Sequence, residues 1–243
     1  MEERRVWVPT PDGKMQVFIA LPSGPGQFPA VLMYQNVGGL SETLCNLARR
    51  VAGEGYYCAV PELYYRLGTI VIDADSKNEQ VRAIRKIASN SLDNGKVMDD
   101  TRALLAWMES DPAARSGAIG TIGYCQGGRF AVLAAAHFPD RVKASSSLFG
   151  TRLITEAADS PHLLLDRIRG EVYFGFAEHD PAVPPEIAVR IGGLLKQCPA
   201  KSMSETLAGT EHGFAFHGRK VYQKEAAERT WGIIFRMFKD QIA

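Results

Sequence analysis

The sequence predicts an α/β protein with a mostly parallel central sheet and helices on both faces. Two observations carry this prediction. Short apolar runs alternate with segments of helical periodicity along all 243 residues. Two of these runs also end in glycine-rich turns, at residues 36–39 and 123–128, that lead directly into a helix. Because no linker, repeat or low-complexity segment interrupts the alternation, we expect a single domain over residues 1–243.

The first half of the chain is predicted to be rich in strands. Strand-like runs occupy residues 6–8, 15–21, 30–35 and 56–60. A helix is predicted where apolar residues recur at helical spacing between the last two runs, at Leu40, Leu44, Leu47, Ala48 and Val51. Residues 62–94 are the least regular: residues 69–72 could form a short strand, whereas Ser76, Asn78 and Asn90 favour a loop and a broken helix.

The second half alternates more clearly. One helix has an apolar face at Val97, Thr101, Leu104, Leu105 and Met108. Strands are predicted at residues 118–122, 142–149, 171–176 and 202–207, and helices at residues 130–137, 161–167, 185–197 and 220–241. The buried stripe of the last helix is predicted at Tyr222, Ala226, Ile233, Ile234, Met237 and Phe238.

The composition excludes several classes of protein. The net charge is +1 with scattered basic residues, so we expect no nucleic-acid partner. The longest apolar stretch is too short to cross a membrane, and the N-terminus lacks the apolar core of a signal peptide. The four cysteines are widely spaced without a C-x-x-C pair, so neither a disulfide framework nor a zinc cluster is expected. These features favour a cytoplasmic protein.

The residues that carry chemistry surround Cys125. Residues 123–128 read G-Y-C-Q-G-G, between an apolar strand and a helix. This arrangement is typical of a nucleophile elbow, because the strained backbone of the nucleophile needs neighbours without Cβ where strand and helix approach. The alternative is a structural role, a buried cysteine in a glycine-rich turn.

An acid and a base follow two later strands. Asp180 comes after the strand at residues 171–176, and His212 comes after the strand at residues 202–207. Catalytic groups gather at the carboxyl ends of parallel strands, and the order nucleophile, acid, base is that of the α/β-hydrolase fold. His212 would take the proton of Cys125, and Asp180 would fix the tautomer of the imidazole. The backbone N–H groups of Gln126 and Val37 are the predicted oxyanion donors.

Other polar residues compete for these roles. Glu178 is the alternative acid, and His179 is an alternative base. His137 is interpreted as a helix C-terminal residue, and His162 and His217 as surface residues. A metal site would require the set His179, Asp180, His212 and His217, whose spacing is not diagnostic of any metal, so no metal is expected.

Four short motifs give the chain a family resemblance. Residues 123–128 match G-Y-C-x-G-G, residues 180–184 match D-x-x-V-P, and residues 212–214 match H-x-F. Residues 61–64 read P-E-L-Y and correspond to P-D-L-Y, with glutamate in place of aspartate. On these motifs the chain resembles the dienelactone hydrolase family, from about residue 12 to the last helix. The resemblance implies an α/β-hydrolase fold. It also implies a cofactor-free Cys-Asp-His triad that opens an enol-lactone through a thioester, a carboxymethylenebutenolidase-type activity.

The chain departs from the family pattern at two places. Where the family has Q-E, with a glutamate that holds and helps to ionise the resting thiol, this chain reads Gln35-Asn36. An amide cannot accept that proton, so a plain Cys–His pair is expected. Four residues after the histidine, Phe216 replaces a carboxylate-binding arginine. The loss of a guanidinium predicts a less acidic substrate.

Five residues are the candidates for the substrate pocket. Arg82 lies near the position of the family's other carboxylate-binding arginine, although Val81 aligns there without a gap, and Arg219 is a further cation from the histidine loop. The remaining candidates are Asn36, Tyr64 and Phe216. The expected partner is a small ester or lactone, and the expected assembly is a monomer or homodimer.

Two other classes of function compete with a hydrolase. Asn36 and Phe216 would also suit a non-catalytic small-molecule-binding protein on the same fold. A thiol redox protein is less favoured, because no resolving cysteine lies near Cys125 in the sequence.

Overall fold

The computed structural model describes all residues, 1–243. It contains eight strands and six α-helices. The strands are β1 Glu2–Thr10, β2 Gly13–Leu21, β3 Phe28–Tyr34, β4 Tyr57–Pro61, β5 Ala114–Tyr124, β6 Val142–Leu148, β7 Glu171–His179 and β8 Ser202–Glu211. The helices are α1 Glu42–Gly53, α2 Glu79–Asn90, α3 Asn94–Glu109, α4 Gln126–His137, α5 Pro185–Leu195 and α6 Lys224–Gln241. Two short 3-10 helices cover Tyr65–Leu67 and Pro161–Arg167.

The chain folds as two compact units, Met1–Gly117 and Ala118–Ala243. In the first unit the strand order is β1-β2-β4-β3, with antiparallel pairing except between β3 and β4. In the second unit β5, β6, β7 and β8 pair in order and all run parallel. The strand pairing is therefore mostly parallel, as the sequence predicts. The expectation of a single domain stays a prediction.

The first unit opens with a longer hairpin than the apolar pattern indicates. β1 pairs with β2 along its whole length, from Glu2 opposite Leu21 to Thr10 opposite Gly13. Only Val8 of β1 is buried. Backbone pairing rather than apolar burial therefore defines this strand, which is why the sequence predicts only residues 6–8.

The second unit packs helices closely on its strands. The residues of α4 from Gln126 to Ala136 are all buried, including the polar Gln126 and the charged Arg129. On β5, a methyl group at Gly120 would lie 2.5 Å from the ring of Phe238 on α6. The glycine thus allows α6 to approach the strand.

Four details differ from the sequence prediction. β8 runs to Glu211 rather than to residue 207, because it continues to pair with β7 after a register shift. α6 starts at Lys224 rather than at residue 220, because the preceding residues form turns that end where the N–H of Gln223 donates to Phe214. Residues 69–72 are not a strand. Asn78 caps α2 instead of breaking it.

The buried stripe of α6 also differs in part. Ile234, Met237 and Phe238 are buried as predicted, whereas Tyr222, Ala226 and Ile233 are half-buried. The remaining buried positions of the helix are Ala227, Thr230 and Trp231. None of the helices combines the length and the hydropathy that a membrane span requires.

A buried acid lies just beyond β4. Glu62 is only 3% exposed, and its carboxylate accepts a hydrogen bond of 3.1 Å from the backbone N–H of Tyr64. Burial raises the pKa of Glu62 to about 7, because the single hydrogen bond offsets little of the cost of burying a charge. The neutral acid is therefore the favoured form in the folded protein at acidic pH.

Glu62→Gln should change how the free energy of unfolding depends on pH. The pKa of Glu62 is about 7 in the folded protein and 4.5 in a free side chain. Its contribution to the free energy of unfolding is therefore greatest below pH 4.5 and is lost as the pH rises through 7. Glutamine keeps an acceptor for Tyr64 without a charge. The free energy of unfolding of the variant minus that of wild type should therefore increase by on the order of 2 kcal/mol from pH 5 to pH 8, as measured by urea denaturation at both pH values.

Glu54→Gln provides the matched control, because Glu54 is exposed just after α1. Its effect should be the same at both pH values. A constant difference between Glu62→Gln and wild type would show that Glu62 does not titrate in this range.

Candidate active site

Cys125 occupies a strained turn between β5 and α4. Its backbone has φ 55° and ψ −122°, a region that residues other than glycine rarely adopt. Three hydrogen bonds hold this backbone: its N–H donates to Leu148, and its carbonyl accepts from Gly128 and Thr151, each at 3.0 Å. The thiol residue is 8% exposed. The turn therefore fixes the sulfur at the N-terminus of a helix.

Glycines make this turn sterically possible. A Cβ on Gly123 would overlap the carbonyl of Gly127. A Cβ on Gly128 would lie 2.5 Å from Ser147 Oγ and 2.6 Å from Gly150 Cα. The prediction that this turn requires residues without a Cβ is thus confirmed at Gly123, and the same requirement holds at Gly128.

Asp180 and His212 form a buried pair. Nδ1 of His212 lies 2.7 Å from Oδ2 of Asp180, whose side chain is fully buried, while that of His212 is 21% exposed. The other oxygen of Asp180 accepts backbone hydrogen bonds from Ala182 at 2.8 Å and Val183 at 3.2 Å. Asp180 therefore caps its own turn and orients the imidazole at the same time.

His212 also forms a hydrogen bond with Cys125, and each group changes the pKa of the other. Burial alone would raise the pKa of Cys125, but the hydrogen bond and charge of His212, together with the N–H of Gln126, lower it below its usual value. Burial alone would lower the pKa of His212, but Asp180 and Cys125 outweigh it and raise the pKa to about 10. Each group therefore stabilises the charged form of the other, a thiolate beside an imidazolium.

Glu178 and His179, the competing acid and base, form contacts with other partners. Glu178 accepts a hydrogen bond from the N–H of Gly209 at 2.7 Å and pairs with the exposed His179 at 3.4 Å. His162 bonds Ser160 at 2.8 Å, and the ring of His217 packs on Tyr222. No group of three or more His, Cys, Asp or Glu side chains is placed to hold a metal ion.

The two predicted oxyanion donors lie in different units. The N–H of Gln126, in the first turn of α4, bonds the sulfur of Cys125, and no side chain caps this helix end. In the first unit, the carbonyl of Val37 accepts a hydrogen bond of 3.3 Å from the hydroxyl of the buried Tyr64. Tyr64 thus braces the Val37 turn, and the donor role of Val37 stays a prediction.

Asn36 and Arg82 also belong to the first unit. The side-chain oxygen of the buried Asn36 accepts the N–H of Gly38 at 2.8 Å, so that oxygen serves a local turn. Arg82 lies on the exposed surface of α2 and lines a cleft of about 520 Å³. The cleft is also lined by Val37, Glu79, Ala83, Arg85, Lys86 and Ser89.

Phe216 is fully buried. Its ring packs on Tyr124 at 5.2 Å and on Phe149 at 5.6 Å between centroids. The guanidinium of Arg219 lies 5.5 Å from the Phe216 ring centroid and occupies the space that a Cβ on Gly213 would need. Arg219 therefore supports the turn that follows His212.

Sequence reasoning missed Phe149. It treats this residue as the end of a strand, but Phe149 lies just beyond β6 with φ 39°. Its ring packs edge-to-face on the imidazole of His212, with 5.0 Å between centroids. Nothing in the sequence signals a positive φ at a phenylalanine, since such a conformation is typical of glycine or asparagine.

Comparison with known proteins identifies the relatives of this chain. The model described as "Dienelactone hydrolase family" matches residues 15–242. A protein from Synechocystis sp. named "Putative carboxymethylenebutenolidase" is 27% identical over 240 residues, covering 98% of this chain and 96% of that protein. A protein of the same name from Methylorubrum extorquens is 28% identical over 232 residues, covering 93% of this chain and 77% of that protein.

A solved structure extends the similarity to the fold. The crystal structure titled "Putative Dienelactone Hydrolase from Klebsiella pneumoniae" superposes with a TM-score of 0.86, covers 98% of each chain and is 23% identical. The α/β-hydrolase fold that the sequence predicts is thereby confirmed.

Gly123→Ala should destabilise the protein by about 3 kcal/mol, because its Cβ would overlap the backbone of α4. Gly117→Ala is the matched control on the same strand, since a Cβ there meets no atom within 4 Å. The control should change the free energy of unfolding by less than about 0.5 kcal/mol. Equal effects of the two variants in thermal or urea denaturation would argue against the steric account of the elbow.

Proposed function

Because the chain belongs to the dienelactone hydrolase family, we propose that it cleaves carboxylic esters or lactones with Cys125 as the nucleophile. The hydrogen-bonded series Asp180–His212–Cys125 is the observation that carries this proposal. It supplies an activated sulfur, a base and a residue that orients the base. The reaction class itself, hydrolysis of ester or lactone bonds, follows from the family.

The first half of the reaction forms a thioester. The thiolate of Cys125 attacks the carbonyl carbon, and the negative charge moves to the carbonyl oxygen. The N–H of Gln126 would stabilise that oxyanion, helped by the positive end of α4. When the intermediate collapses, the imidazolium of His212 gives its proton to the leaving alkoxide. In a lactone, the released hydroxyl stays in the same molecule.

The second half releases the acid. Neutral His212 takes a proton from water, and the resulting hydroxide attacks the thioester carbon. The C–S bond then breaks, which restores the thiolate of Cys125 beside protonated His212. Asp180 keeps Nδ1 protonated throughout, so that Nε2 faces the reacting atoms.

The surroundings of the histidine turn support a substrate less acidic than that of the best-known family activity. Phe216 is apolar and buried where an arginine would bind a carboxylate. Arg219 lies over the Phe216 ring, and Arg82, in the first unit, is the remaining candidate for an anionic group. We further propose that the enzyme is cytoplasmic, since all four cysteines are free thiols.

Cys125→Ala should abolish turnover of 4-nitrophenyl acetate and of cis- and trans-dienelactone. His212→Ala should lower kcat/KM at least about 100-fold, because it removes the base. Cys198→Ala is the control: this cysteine is also a free thiol, but it bonds the carbonyl of Leu165. If wild type cleaves every ester no faster than Cys125→Ala, the hydrolase proposal fails.

The rate at which iodoacetamide alkylates Cys125 tests the thiolate separately from turnover. The lowered pKa predicts that Cys125 of wild type is labelled faster at pH 6 than a thiol with an ordinary pKa would be. In His212→Ala the burial of the thiol is no longer offset, so labelling at pH 6 should slow about tenfold or more. An unreactive Cys125 in wild type, followed by mass spectrometry of the labelled peptide, would instead favour a non-catalytic binding protein.

A further inference from the structure

Phe149 has a backbone conformation that is unusual for its residue type. At φ 39° a bulky aromatic is strained, whereas glycine or asparagine adopts such angles readily. The residue is fully buried, and its N–H donates to the carbonyl of Gly175 at 2.7 Å. A strained position that keeps a large side chain suggests that the ring itself is needed there.

The loop that carries Phe149 contacts both reacting groups. The residues on either side hold the backbone of Cys125: the carbonyl of Leu148 accepts its N–H, and the N–H of Thr151 donates to its carbonyl, both at 3.0 Å. The ring of Phe149 lies against the imidazole of His212 at 5.0 Å. Residues 148–151 therefore connect the nucleophile to the base.

The imidazole needs such a contact. The hydrogen bonds to Asp180 and Cys125 hold two edges of the ring, but they leave it free to tilt about the line that joins them. The direction of Nε2 toward Cys125 depends on the plane of the ring. Phe149 lies edge-to-face on His212, at an interplanar angle of 65°, and so restricts the tilt.

Three further aromatic rings pack on Phe149. Its ring contacts Phe214 at 5.3 Å, Phe216 at 5.6 Å and Tyr124 at 6.0 Å between centroids. Phe214 and Phe216 are fully buried, as is Phe149. Phe216 thus packs on Phe149, which in turn packs on His212.

We propose that Phe149 is a positioning residue that fixes the plane of His212 relative to Cys125 and thereby maintains the thiolate–imidazolium pair in the resting protein. The inference rests on the proposed function, since it concerns the same pair. The titratable groups that face His212 are Cys125 and Asp180. Glu211 precedes it in the chain, and Arg219 lies against the following Gly213. Phe149 carries no charge, so it acts on the pair through geometry.

The test is a pH titration of the thiolate by its absorbance at 240 nm, corrected with Cys125→Ser. Phe149→Leu keeps an apolar side chain but loses the planar ring. The midpoint of thiolate formation should rise by about one pH unit, a tenfold decrease of the acid dissociation constant of the thiol. Ester hydrolysis should show a lower kcat with little change in KM. Phe149→Met, which is flexible and of similar volume, should shift the midpoint in the same direction and serves if the leucine variant does not fold.

Phe174→Leu is the matched control. Phe174 is as fully buried, in β7, and its ring stacks on Phe176 at 6.2 Å. This variant should lose stability to a similar extent without a shift of the thiolate midpoint.

The outcomes separate the two proposals. If wild type shows the lowered midpoint of thiolate formation and both Phe149 variants show the same midpoint as wild type, the positioning role is overturned and the hydrolase proposal stands. An equal shift in Phe174→Leu would also overturn it, because the effect would then be general loosening of the core. A midpoint of thiolate formation in wild type that is no lower than that of a free cysteine would overturn the activated cysteine and the positioning role together.

Discussion

The strained backbone of Cys125 is the constraint on which the rest of the second unit depends. Holding a residue other than glycine at φ 55° costs on the order of 1–3 kcal/mol. Three backbone hydrogen bonds, each worth about 1 kcal/mol net, offset this cost. Their partners lie in α4, at the last residue of β6 and in the loop after β6, so these elements must keep their positions for the sulfur to stay at the helix N-terminus.

The same loop extends the constraint to the base. Phe149 follows directly after the residue that accepts the N–H of Cys125, and its own φ is positive. Two strained residues therefore lie at the ends of neighbouring parallel strands, and both contact His212. Strain concentrated in this way is typical of functional sites, where the surrounding packing holds conformations that an isolated chain would avoid.

Charge at the site reflects a balance between burial and pairing. Burial opposes both charged forms, raising the pKa of the thiol and lowering that of the imidazole. At His212 the carboxylate of Asp180 and the sulfur of Cys125 outweigh burial, and at Cys125 the imidazole of His212 and the N–H of Gln126 outweigh it. At Glu62 the effect of burial prevails. Only one backbone hydrogen bond stabilises its charged form, so its pKa is raised and the neutral form is favoured.

The sequence by itself determined the α/β class, the family and the identity of the three residues that meet, because short motifs such as G-Y-C-Q-G-G encode local turn geometry directly. Only the tertiary structure decided which contacts are made by the two residues that depart from the family pattern. Asn36 turns its oxygen to Gly38, and Phe216 lies inside an aromatic cluster. The position of Phe149 on His212 joins residues that are far apart in the chain. Such contacts depend on how strands are placed side by side, which no local pattern records.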